Sequence, residues 1–171
     1  HRGEMDLALI YGPSSDLHLA VQSLGRDPIV AVGPRGSGLA KKKQVDIGWL
    51  LKQRLVLPSH SHGLRAMIEQ AAAKKKLKLD VKLEADSFRV LTSLVEEGLG
   101  YTLLPPSSVR NEVASGRLET AAISKPAPMR ELTLASPIDH PGSTAITLVS
   151  ELLRDELIAC REEGLWDIRL A

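Results

Sequence analysis

Leu55-Val56-Leu57-Pro58-Ser59-His60 is an apolar strand that stops at proline and passes into a polar helix start. The same pattern returns as Tyr101-Thr102-Leu103-Leu104-Pro105-Pro106-Ser107. In doubly wound α/β folds the ligand crevice lies beyond the carboxyl ends of the strands, where the unpaired N–H groups of helix starts point. Two such ends in one chain predict an α/β fold with a ligand cleft.

Helical spacing follows the first end. From Gly63, the residues Leu64, Met67, Ile68 and Ala71 fall at i, i+3, i+4 and i+7, and lysines at 74–76 close that helix favourably for its dipole. Residues 77–85 then alternate apolar and charged, the mark of a half-exposed strand. Asp86 or Ser87 caps the next helix, whose apolar face is Phe88, Leu91, Leu94 and Val95 and whose end is Gly98. Beyond the second strand end, a short helix over 107–115 and a strand over 118–123 complete a β-α-β-α-β-α-β series, so 54–128 reads as one lobe.

The ends of the chain are poorer in self-sufficient structure. Residues 5–11 form a nearly unbroken apolar run that predicts a strand buried on both faces. Leu17, Leu19 and Val21 alternate with polar residues, and 28–32 make a second short strand. The glycine-rich stretch 35–43 reads as a mobile loop, and Asp46 caps a short helix through Trp49 and Leu50. After the proline-stiffened linker Lys125-Pro126-Ala127-Pro128 come a strand over 131–135 and the longest helix. That helix opens at Pro141-Gly142-Ser143 and carries Ala145, Leu148, Val149, Leu152, Leu153 and Leu157 on one face. Residues 1–53 and 129–171 should therefore cover each other's apolar faces as a discontinuous first lobe beside the continuous second lobe.

Composition narrows the function. With 22 basic and 21 acidic residues the formal net charge is +1, which leaves little sequence-independent attraction to nucleic acid. A lone Cys160 cannot form an internal disulfide, no signal-peptide pattern opens the chain, and no apolar run approaches the roughly 20 residues of a membrane span. A cytoplasmic location with no membrane contact is the expectation. The five aromatics offer no platform for stacking bases, and most belong in the core. Tyr11, which closes a strand, and Phe88, which starts a helix, are placed to face a cleft.

Enzyme motifs fail on their own terms. Gly33-Pro34-Arg35-Gly36-Ser37-Gly38 has phosphate-loop glycine spacing, yet Leu39 and Ala40 stand where Lys and Ser/Thr are needed. Ser59-His60-Ser61-His62 is the densest polar cluster, but two imidazoles without a third ligand do not make a metal site. A hydrolase built on Ser59 or Ser61 with a histidine lacks a nucleophile elbow and an orienting acid. No catalytic residue, metal or cofactor is expected. Hydroxyls, imidazoles and free N–H groups at this helix start instead make a seat for a carboxylate or similar anion, and a plain N-cap with solvated histidines is the competing reading.

Several stretches resemble the effector-binding domain of LysR-type transcriptional regulators: Gly3-Glu4-Met5-Asp6-Leu7-Ala8-Leu9, Leu57-Pro58-Ser59 with Gly63-Leu64-Arg65, Glu84-Ala85-Asp86-Ser87, and above all 94–105, Leu-Val-Glu-Glu-Gly-Leu-Gly-Tyr-Thr-Leu-Leu-Pro. The resemblance covers essentially the whole chain. It implies a two-lobed fold like type 2 periplasmic binding proteins, with a small-molecule inducer between the lobes that shifts their relative population. It also implies homodimers within tetramers, and promoter binding through an N-terminal winged helix-turn-helix. Position by position, it assigns the effector site to Tyr11 and Gly12, to Ser59, His60, Ser61, His62, Gly63 and Leu64, and to Ser87 and Phe88. By the same resemblance a helix-turn-helix, and then a strand, helix and strand of the first lobe, should precede Gly3, so the chain is expected to begin mid-domain with that lobe incomplete. A periplasmic solute-binding protein of the same fold is the alternative.

Overall fold

The computed structural model describes residues 5–12, 18–124, 126–138 and 143–171; the sequence readings at Gly3, Glu4, Leu17, Lys125, Pro141 and Gly142 lie outside them. The chain divides into two compact units, His1–Asp27 with Met129–Ala171, and Pro28–Pro128. Each has its own apolar core.

In the first unit, strands β1 (Ala8–Tyr11) and β2 (Leu19–Pro28) join two later strands, β9 (Met129–Pro137) and β10 (Arg169–Leu170), in one sheet of order β1-β9-β2-β10. Strand β1 pairs antiparallel with β9, Tyr11 opposite Leu132. It lies at the sheet edge, and Leu9 and Tyr11 are exposed, so the expected strand buried on both faces is instead a half-exposed edge strand. Helix α5 (Thr144–Glu162) is capped by the Ser143 hydroxyl, which accepts from the Ile146 N–H at 3.3 Å. Its core contribution is small: Leu157 is buried, while Leu152 is 67% exposed and Leu148 and Val149 are also exposed. The other end of the chain covers this helix face in part: Leu153 and Leu157 pack in one cluster with Leu7 and Leu24, while Leu148, Val149 and Leu152 stay exposed. Leu24, Leu132, Leu134, Leu157 and Ile168 form the core of the unit.

The second unit begins earlier than the sequence suggests. Strand β3 (Val30–Pro34), which the pattern had joined to the first lobe, lies antiparallel between β7 (Thr102–Leu104) and β8 (Leu118–Ile123), and β4 (Gln44–Val45) pairs parallel with β8. Residues 28–53 thus pack with the second unit and move the first boundary from 53/54 to 27/28. The physical reason is β3 itself: Ala31 and Val32 are fully buried in that core. Helix α1 (Ile47–Leu50) is capped by Asp46, whose Oδ1 accepts from the Trp49 N–H at 3.2 Å.

The expected mobile loop is also organised. Gly36 N–H, Ala40 N–H and the Ser37 hydroxyl all donate to the Glu119 carboxylate, at 2.8, 3.3 and 3.1 Å. A glycine loop that resembles a phosphate cradle is filled by the protein's own anion, and those bonds hold the Glu119 carboxyl below its ordinary range.

Strand β5 (Arg54–Leu57) and β6 (Asp80–Glu84) form a parallel pair linked by helix α2 (Gly63–Lys74). Tyr101 joins β5 to the mixed sheet, donating its N–H to Arg54 O at 2.8 Å and accepting from Val56 N–H at 2.9 Å. Gly100 permits this approach, because a Cβ there would stand 2.6 Å from Arg54 O. Helix α3 (Phe88–Glu96) buries Leu91, Thr92 and Val95 and ends at Gly98, whose φ of +74° suits glycine. After Pro105 a 3-10 turn, Pro106–Val109, leads into α4 (Arg110–Ala114), replacing the single helix expected over 107–115.

Candidate functional site

Residues 58–62 connect the buried end of β5 to the start of α2, and the structure pins this loop at three points. The Ser59 N–H donates to Asp86 Oδ1 at 2.9 Å, which ties the loop to the end of β6. The His62 ring lies 5.7 Å from the Phe88 ring at a 46° tilt, which sets the start of α2 beside the start of α3. The Arg65 guanidinium, 5% exposed, donates from Nη1 to Pro58 O at 3.0 Å and to Glu84 Oε1 at 2.8 Å, and from Nε to Glu69 Oε1 at 2.8 Å. A buried guanidinium with its N–H groups satisfied in this way fixes the loop against both α2 and β6.

The same contacts assign the two histidines. His60 Nδ1 stands 2.9 Å from Glu69 Oε1 and His60 Nε2 stands 3.3 Å from Arg65 Nη2. Arginine can only donate, so Nε2 is the accepting nitrogen and Nδ1–H donates to the carboxylate. His60 is thus an outer member of the Arg65–Glu69–Glu84 network and not a free anion seat. His62 is the N-cap of α2, with Nδ1 accepting from Leu64 N–H at 3.1 Å. Capping by Nδ1 uses the neutral imidazole.

Among the sequence-assigned residues, Ser59, His60, Ser61, His62, Gly63, Leu64, Ser87 and Phe88 all belong to the second unit, their two segments joined by the Ser59–Asp86 bond and the His62–Phe88 contact. The Ser59 and Ser61 hydroxyls lie 2.9 Å apart and exposed. Leu64 is buried and its N–H is already taken, so its part is structural. Ser87 occupies the N-cap of α3 with no side-chain cap bond, which leaves the first-turn N–H groups there unsatisfied by the cap. Asp86, read as a cap for α3, instead binds the facing loop; the Ser59 N–H and then the Ser59 hydroxyl hold its carboxyl below the ordinary range.

Tyr11 and Gly12 belong to the first unit. Arg130 stacks on the Tyr11 ring at 3.8 Å and pairs with buried Asp27. Partial burial raises the Tyr11 phenol above its usual value, with the Arg130 charge opposing and Asp27 adding to the rise. Gly12 donates its N–H to Glu131 O at 2.9 Å at a φ of +98°. Arg65 and Asp86 lie in the stretches that carry the resemblance, but neither they nor Glu69 are assigned to the site from the sequence. An Arg65–Glu69 spacing of i, i+4 was the available signal. Among the described residues, no group of three or more His, Cys, Asp and Glu side chains is placed to hold a metal ion, and no helix is long and apolar enough to cross a membrane.

An α/β chain in two compact units with strand ends that pass into helix starts is the architecture of a small-molecule-binding domain. Residues 1–158 match the family described as the LysR substrate binding domain, and the chain belongs to that family. The HTH-type transcriptional regulator BbuR of Bordetella bronchiseptica is 29% identical over 164 residues, covering 96% of this chain and 50% of that protein. The nitrogen assimilation regulatory protein nac of Klebsiella aerogenes is 27% identical over 151 residues, covering 88% and 48%. The chain thus spans about half the length of these curated relatives. Among solved structures, the Synechocystis CcmR regulatory domain in complex with 2-PG superposes with a TM-score of 0.78 at 21% identity, covering 89% of this chain and 73% of that one. The effector binding domain of QuiR in complex with shikimate gives 0.74 at 20% identity, covering 85% and 68%. These two likenesses establish the fold.

Proposed function

We propose that this chain senses a small anionic metabolite through residues 59–63 and the Ser87–Phe88 helix start, and that the whole protein couples this to promoter DNA through a winged helix-turn-helix. The observation that carries the reading is the pairing of two helix starts, those of α2 and α3, locked side by side by the Ser59–Asp86 bond and the His62–Phe88 contact. At the α3 start the cap side chain takes none of the first-turn N–H groups, and helix N-termini favour anions through such groups and their dipoles. Exposed Ser59 and Ser61 hydroxyls add neutral donors on the same face. The relatives named for transcriptional regulation, and structural neighbours titled with 2-PG and shikimate, support it. Ligand binding then works by shifting the population of conformations, in a cytoplasmic homodimer or homotetramer.

The chain is not an enzyme in this reading. Among the described residues neither Ser59 nor Ser61 hydrogen-bonds a histidine, since His60 is held by Glu69 and Arg65 and His62 caps α2. A nucleophile paired with a base is absent there.

Calorimetry of the intact effector domain against a panel of small carboxylates and phosphate esters tests the proposal. A ligand should bind, and the double change Ser59→Ala with Ser61→Ala should weaken it about tenfold, the loss of one or two hydrogen bonds to a charged group. Affinity unchanged in that variant removes the loop from the site.

A further inference from the structure

The first unit carries a second basic site, remote in sequence from the loop at 59–63. Strand β10 pairs antiparallel with β2 so that Arg169 stands directly opposite Arg26. Directly opposed residues project from the same face of the sheet, and like charges in that relation repel. Both arginines are exposed, and neither guanidinium has an ion-pair partner among the described residues. Among the described residues, no acidic side chain pairs with either of these two cations.

A cavity of about 370 Å³ opens at this pair, lined by Arg26 and Arg169 with Ser23, Gly25, Met129, Leu170 and Ala171. No acidic side chain lines it. Gly25 lets the strands close beneath it, since a Cβ there would stand 2.6 Å from Arg169 O.

From this arrangement we propose that Arg26 and Arg169 bind the phosphate group of a small molecule. Two guanidinium forks present more donors than one carboxylate can accept, whereas a phosphate offers oxygens to both forks. Binding relieves the repulsion between the strands, so occupancy stabilises the β2–β10 pairing.

Inorganic phosphate is the probe, titrated into the full chain by calorimetry at constant ionic strength. Saturable one-site binding is expected, weakened about tenfold or more by either Arg26→Gln or Arg169→Gln. Arg154→Gln, a nearby change outside the cavity, and Ser59→Ala with Ser61→Ala should leave it intact. Acetate should bind at least about fivefold more weakly than phosphate. Phosphate binding that survives both arginine changes, follows ionic strength alone, or is lost with the serines overturns the assignment. Equal binding of acetate and phosphate overturns the specificity for phosphate. Thermal unfolding gives an independent readout: phosphate should raise the melting temperature of the parent and not that of the Arg26→Gln, Arg169→Gln double variant.

Discussion

Replacing Arg65 by methionine keeps most of the side-chain volume and removes every donor. The guanidinium is 5% exposed, whereas its partners Glu69 and Glu84 are 40% and 42% exposed, so water screens the two ion pairs to about 1 kcal/mol each at most. The Pro58 carbonyl, a buried acceptor, loses its donor at a cost of about 1–3 kcal/mol. Recovering the desolvation cost of a buried cation offsets part of this. The net loss should be about 2–3 kcal/mol. Urea unfolding followed by fluorescence in a Trp166→Phe background makes Trp49 the reporter for the second unit. With a slope of about 1–1.5 kcal/mol/M, the midpoint should fall by about 2 M. Amide exchange at Ser59 and Leu64 should accelerate as the loop is released. A midpoint within about 0.3 M of the parent would show that the guanidinium contributes nothing net and that the loop is held by something else.

Three further outcomes follow from the geometry. Asp86 has a carboxyl pKa lowered from 3.8 by the Ser59 N–H, so the stability it contributes is full above that value and is lost as pH falls through its lowered one. Urea titrations below about pH 4 should therefore find the parent losing more stability than Asp86→Asn, and equal slopes would refute the contact. Gly100→Ala forces a Cβ to 2.6 Å from Arg54 O, a backbone atom that cannot swing aside, and should cost about 1–3 kcal/mol in denaturant unfolding. Glu119→Ala removes the acceptor shared by Gly36, Ser37 and Ala40, and hydrogen exchange over residues 36–40 should become fast while β8 stays protected.

Local periodicity made much of the second unit legible. The i, i+3, i+4 spacing from Gly63 corresponds to α2, and the alternation over residues 77–85 contains β6, which is shorter at Asp80–Glu84. Pairing across long separations left no local mark. Strand β3 reads as one more short apolar run, and its neighbours β7 and β8 lie some 70 to 90 residues away, so its unit could not be read from position. The glycine loop at 33–38 shows the same limit, because its order comes from Glu119, distant in sequence. At the candidate site, the strand-proline-helix pattern located the loop, and polarity marked its hydroxyls and imidazoles. What fixes the loop was hidden: Arg65 and Glu84 look like solvated charges until tertiary packing buries the first against the second.

Amide chemical-shift mapping during titration with the tightest carboxylate or phosphate ester found by calorimetry tests the effector site most directly. The expected result is saturable shifts concentrated at the N–H groups of residues 59–63 and 87–89, the two paired helix starts. Saturable binding whose shifts leave those amides unmoved would contradict the assignment.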